Sequence, residues 1–203
     1  MPLDGITILG FGIHGVSGHS NTIVRNCKID AIGGELFVGY KQFVCLGNGI
    51  EFCVTEDIEN CLVENCFIKR CYDCGASIQG AGFGQATPRN ITFINNLIMN
   101  CCQGWEDYLC NDDKVRYNNC RFINNTVMNC GNTTGFGYPQ GRVKYCNVLG
   151  TNEKGDKGMR IEKNVFIGGN FYCSTSYKGV FKSNKWKRNK FYTERGIWLL
   201  KEA

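Results

Sequence analysis

The chain is poor in several residue types, and each shortage narrows what it can be. No stretch among its 203 residues approaches the roughly 20 consecutive apolar residues of a membrane-spanning helix, which excludes an α-helical membrane span. The opening Met1-Pro-Leu-Asp-Gly5 lacks a basic segment followed by an apolar one, so no secretory signal is read there. Three prolines beside 26 glycines, with 13 phenylalanines, 9 tyrosines and frequent asparagine, suit a β-rich, loop-rich chain. Only two imidazoles, His14 and His19, are available as proton carriers. Net charge is also low once it is located. Residues 177–203 hold eight Lys or Arg and two Glu, a net +6, so the whole-chain +5 leaves −1 for everything before them. This basic tail reads as the final coil or cap, its edge protected by lysines, and nucleic acid is not an expected partner.

What the chain has in abundance is a repeated six-residue phrase: an apolar residue, any residue, a polar residue, Asn or Cys, any residue, and a large apolar residue. It returns as Val24–Ile29, Val63–Ile68, Phe93–Ile98, Phe122–Val127, Ile161–Phe166 and Phe181–Trp186, with starts 39, 30, 29, 39 and 20 residues apart. Repeats of this size are stacked supersecondary units. The alternation on either side of a small polar residue suits two short strands meeting at a sharp corner, and Asn tolerates the left-handed backbone such a corner needs. The phrase predicts one corner column, Cys27, Cys66, Asn96, Asn125, Asn164 and Asn184, spaced by about 4.8 Å.

A second element opened by Gly follows the phrases: Gly49–Phe52, Gly75–Ile78, Gly104–Asp107 and Gly135–Tyr138, with an earlier candidate at Gly12–His14 and a later one at Gly169–Tyr172. Together, phrase and Gly-strand resemble the right-handed parallel β-helix proteins of the pectate-lyase type, over about residues 5–192. The resemblance is closest to bacterial carbohydrate-active members. It implies an all-β, single-domain solenoid (1–203) of about seven coils with an Asn/Cys corner ladder, acting on a polysaccharide or oligosaccharide outside the cell or at its surface. Because such relatives are exported, the chain is expected to be trimmed of a leader or to be a fragment of a longer protein. No cofactor is implied, except Ca2+ if the chemistry is that of a lyase. Fold alone does not decide among lyase, hydrolase and passive binding module.

The 14 cysteines read mostly as reduced core fillers, with Cys27 and Cys66 in the corner column and Cys71, Cys101 and Cys130 closing strands. Neighbouring Cys27 and Cys66 would fall within disulfide range, though this density of thiols points to a reducing setting. A zinc site from Cys71, Cys74, Cys101 and Cys102 would be a poor tetrahedron.

Aligning the Gly-strands on their glycines places His14, Glu51, Ser77, Glu106 and Gly137 in one outward column, with Ile50, Ala76 and Trp105 pointing inward. Glu51 and Glu106, two coils apart, would be separated by about 9.6 Å, at the upper edge of the window that inverting glycosidases hold between acid and base. Asp73 adds a carboxylate, His14 a proton carrier beside Glu51, and Asp107 is expected at a bulge or strand end because a buried unpaired carboxylate is costly. Ser77, Tyr40, Trp105, Tyr108 and Tyr138 are candidate sugar contacts. A lyase would need Lys or Arg near the column; it holds none, leaving only Arg89, Arg116 or Lys41 on loops. The rival from another class is a non-catalytic glycan-binding or structural solenoid.

Overall fold

The computed structural model describes residues 2–10, 14–33, 47–80, 86–109, 114–130, 146–150, 158–168 and 185–192. Within them every regular element is a strand, and all strand pairings are parallel. Sheet A comprises β1 (Leu3–Asp4), β4 (Ile23–Arg25), β7 (Ile58–Glu64), β10 (Pro88–Ile94), β13 (Arg121–Ile123), β16 (Arg160–Glu162) and β18 (Lys185–Lys187). Sheet B comprises β2 (Thr7–Leu9), β5 (Lys28–Asp30), β8 (Phe67–Lys69), β11 (Leu97–Met99), β14 (Thr126–Met128), β17 (Val165–Ile167) and β19 (Lys190–Tyr192). Sheet C comprises β3 (His14–Ser17), β6 (Asn48–Cys53), β9 (Cys74–Gln79), β12 (Gln103–Tyr108) and β15 (Cys146–Gly150). The chain visits A, then B, then C where a C strand is described, and each return adds a strand beside the last one in the same sheet.

Sheets A and B are built on a five-residue period that the six-residue phrase only half captures. A left-handed residue starts each segment, the next points inward, and a three-residue strand follows whose middle side chain is buried. Those middle residues are Val24, Val63, Phe93, Phe122 and Ile161 in sheet A and Ile29, Ile68, Ile98, Val127 and Phe166 in sheet B, all fully buried. Between sheets A and B the left-handed positions are Asn26, Asn65, Asn95, Asn124, Lys163 and Arg188, with φ between 53° and 58°. Asn60, Asn90 and Asn119 repeat this ahead of sheet A, and Arg70, Asn100 and Asn129 after sheet B. Asn is enriched because its short polar side chain lessens the penalty of that backbone region. The sharp bend is thus made by the residue before the predicted column.

The column itself points inward and is a hydrogen-bond ladder. Asn125 Oδ1 accepts the Asn96 N–H (2.9 Å), and its Nδ2 donates to the Phe93 carbonyl (3.1 Å); Asn164 does the same for Asn125 N–H (2.8 Å) and the Phe122 carbonyl (2.9 Å). Asn96 serves Cys66 N–H (2.9 Å) and the Val63 carbonyl (3.1 Å). Cysteine keeps half of this role: the Cys66 thiol donates to the Val24 carbonyl (3.7 Å) and the Cys27 thiol to that of Leu3 (3.6 Å), while neither has an oxygen for the N–H below.

Two ends of the repeat are corrected. The last corner residue is Asn189, which accepts the Asn164 N–H (2.8 Å) and donates to the Ile161 carbonyl (2.8 Å). Trp186 pairs with Ile161 in sheet A, so the final copy is Trp186–Phe191; Asn184 lies outside the described residues. The 20-residue spacing to Phe181 was a false register, offset by five residues in a chain whose period is five. At the other end Leu3–Ile8 is a copy hidden by Gly5 (φ 65°) and Ile6 at the two corner positions.

The glycine second in β3, β6 and β9 is there for close approach, not for a positive φ. A Cβ on Gly49 would stand 2.5 Å from the Gly75 carbonyl oxygen and 2.9 Å from Cys71 Sγ. The core runs between the sheets, where Trp105 packs against Phe93 (ring centroids 4.9 Å) and Phe122 (4.4 Å). Ten described cysteines are free thiols, nine of them buried, and seven of them (Cys27, Cys61, Cys66, Cys71, Cys101, Cys120 and Cys130) fill corner positions as small apolar residues do.

If the ladder carries the corners, Asn125→Leu removes partners from two buried backbone groups and should cost about 1–3 kcal/mol, whereas Asn124→Gly at the left-handed position beside it should cost far less. Urea denaturation of both variants measures the difference; equal losses would contradict the ladder.

Candidate functional site

Sheet C carries the carboxylates because its strands alternate. Ile50, Phe52, Ala76, Ile78 and Trp105 face the core, so Glu51, Cys53, Ser77, Gln79, Glu106 and Tyr108 occupy the opposite face. The register places Glu51, Ser77 and Glu106 side by side on β6, β9 and β12. Ser17 of β3, not His14, is the in-register neighbour of Glu51; His14 pairs with Asn48, and the glycine aligned with Gly49 is Gly15 rather than Gly12. His14 nevertheless reaches the site, its Nδ1 lying 3.4 Å from Glu51 Oε2. Gly137, Tyr40, Tyr138 and Lys41 lie outside the described residues.

These outward residues are not solvated. Glu51 is 4 % exposed, Glu106 7 % and Ser77 0 %, so this face of sheet C is covered. A buried carboxylate requires hydrogen-bond donors in place of water. Glu51 has them: the side-chain amides of Asn48 and Gln79 both donate to its Oε2. Asn48 is itself oriented by the Cys74 N–H, which donates to its Oδ1 (3.0 Å). The half-buried Asp73, just before β9, accepts from Gln103 Nε2 (3.2 Å). Burial, and after it the negative charge of Glu51, pushes the Asp73 carboxyl up to about 7. Cys53 is raised to about 11, again by burial first and then by Glu51, and so is a neutral thiol rather than a nucleophile at neutral pH.

Among the described residues, buried Ser77 Oγ and Gln103 Oε1 near these carboxylates have no hydrogen-bond partner, and His14 Nδ1 has only its 3.4 Å contact with Glu51 Oε2. A buried hydroxyl or amide left without a partner costs about 1–3 kcal/mol.

Other candidates fall elsewhere. Trp105 is fully buried between Phe93 and Phe122 and is a core residue, as the alternation of β12 requires, so it is no sugar contact. Asp107 stands in regular register opposite Ile78 and Gly150 and is fully buried, with no bulge to turn it outward. Tyr108 is half-buried at the end of β12, in register with Gln79. Arg89 is held by Asp57 (2.5 Å) on sheet A, and Arg116 is exposed outside any strand. Asn48, Gln79 and Gln103 were not anticipated; their positions flanking the Gly-strands were the available signal. No group of three or more His, Cys, Asp or Glu among the described residues is arranged to hold a metal ion. No protein-family model matches the chain, and neither curated proteins nor solved structures give a significant match.

The Asp73 shift sets a direction for stability. Its folded value, about 7, lies above the ordinary 3.8, so the folded state holds the proton more tightly and stability should fall as pH rises from about 4 to about 7. Chemical denaturation across that window should show this slope in the parent and a shallower one in Asp73→Asn.

Proposed function

We propose that the three parallel sheets are the faces of a right-handed parallel β-helix of about seven coils, and that the covered face of sheet C is the site of a glycoside hydrolase-like enzyme. The observation that carries the reading is the grouping of under-satisfied polar atoms of His14, Ser77 and Gln103 with two carboxylates of unlike environment. Polyhydroxylated ligands supply both donors and acceptors, which is what His14 Nδ1, Ser77 Oγ and Gln103 Oε1 require. A carboxyl whose proton affinity is raised by its surroundings is suited to act as the acid. Asp73, protonated up to about pH 7, is the proton donor to the leaving oxygen. Glu51, fixed by two amide donors, is the base or nucleophile. Glu106, two strands away, is positioned to hold a neighbouring part of the sugar. The outward residues of β6, β9 and β12 include no Lys or Arg to neutralise a uronate, which disfavours lyase chemistry.

One observation favours a structural reading: the amide bonds to Glu51 also tie β6 to β9, as a non-catalytic solenoid would use them. The two readings part in one experiment. For a hydrolase, Glu51→Gln and Asp73→Asn should each lower the release of reducing ends from a glycan panel by about 10²–10⁴, with little change in Tm, and parent activity should decline above about pH 7 as Asp73 ionises. Loss of stability in Glu51→Gln, with no cleavage by the parent, would favour the solenoid.

A further inference from the structure

The outer face of sheet B carries a second charged cluster, remote from sheet C in its chemistry. Its outward positions are Thr7, Leu9, Lys28, Asp30, Phe67, Lys69, Leu97, Met99, Thr126, Met128, Val165, Ile167, Lys190 and Tyr192, and Asp30 is the one acid among them. Three cations converge on it. Arg70 Nε donates to Asp30 Oδ1 (2.6 Å), while Lys69 Nζ and Lys28 Nζ stand 3.4 Å and 3.9 Å from Oδ2. The Asp30 side chain is only 3 % exposed. By contrast the Asp4–Arg25 and Asp57–Arg89 pairs are one to one.

Three cations on one carboxylate leave a net charge of +2, and the cations remain accessible: the Arg70 side chain is 55 % exposed, Lys28 45 % and Lys69 25 %. Arg70 bonds Asp30 through Nε while its side chain is 55 % exposed, so its Nη donors, part of the planar fork that matches an oxyanion, remain for a ligand. Lys69 is further steadied over the Phe67 ring, 5.3 Å from its centroid. Hydrogen bonds from Arg70 and then Lys69 hold Asp30 below the ordinary carboxylate range, so the organising anion persists across physiological pH.

We propose that Lys28, Lys69 and Arg70, pre-organised around Asp30, form a binding site for a phosphate monoester. A phosphate monoester carries about −1.5 to −2 at pH 7 with three acceptor oxygens, which matches both the excess charge and the donor set. A monoanionic carboxylate would leave the site cationic. The inference is independent of the hydrolase reading, because none of its residues belongs to sheet C.

The test is titration calorimetry of the whole chain with glucose 6-phosphate, inorganic phosphate, glucuronate and glucose at matched ionic strength. Glucose 6-phosphate and inorganic phosphate should bind saturably, more tightly at lower salt, and several-fold more tightly at pH 7.5 than at pH 5 as the second phosphate proton leaves near pH 6. Arg70→Gln should weaken binding about tenfold or more and Lys28→Gln about threefold. Lys190→Gln, on the same face but about 24 Å away along the sheet, should leave it unchanged. Tm values confirm that each variant is folded. Equal affinity for glucuronate and glucose 6-phosphate, parent-like affinity in Arg70→Gln, or no binding by the parent would each overturn the proposal.

Discussion

Everything in this molecule rests on a corner made of two residues: one forced into the left-handed backbone region and one whose side chain turns inward to bond the neighbouring strand. The first reverses the chain over five residues, and the second satisfies the backbone groups that the bend removes from the sheet. Asn96, Asn125, Asn164 and Asn189 each accept one backbone N–H and donate to one backbone carbonyl, so each corner locks the strand beside it in register. Register is then inherited by all three sheets. A slip of one residue would expose the buried middle residues of sheets A and B and bury charged ones, a change no local interaction could offset.

Sheet C depends on that inheritance. Its strands are longer and their glycines pass within contact distance of the next strand's backbone, so side chains on its outer face stand at fixed separations with little freedom to adjust. Covering such a face raises the cost of every polar group on it. Glu51 meets that cost with the amides of Asn48 and Gln79, Asp73 meets it by holding its proton, and His14, Ser77 and Gln103 leave polar atoms unmatched.

The two buried carboxylates of known surroundings, Glu51 and Asp30, show how environment separates roles. Around Glu51, which is held by neutral amides, burial and after it the Glu51 charge raise Asp73 and Cys53. Cations around Asp30 reverse the sign of the local field, so the same functional group organises a positive surface on sheet B.

The repeat, the all-β character, the inward apolar rows and the grouping of Glu51, Ser77 and Glu106 were legible from spacing alone, because a strand's period of two and a corner's demand for Asn are local properties. The five-residue period was visible too, yet it let the last copy be read one period early, at Asn184 instead of Asn189, since both frames satisfy the same local pattern. Trp105 and Asp107 also follow alternation and point inward as it requires; nothing in β12 departs from it. What local pattern could not decide was which outward residues are covered, that His14 reaches Glu51 from an out-of-register position, that Gln79 and Gln103 turn toward the carboxylates, and that Lys28, Lys69 and Arg70 meet over Asp30. Those facts belong to pairs of residues on different strands, up to about 40 positions apart in the chain, and only the stacking of one round on the next brings them together.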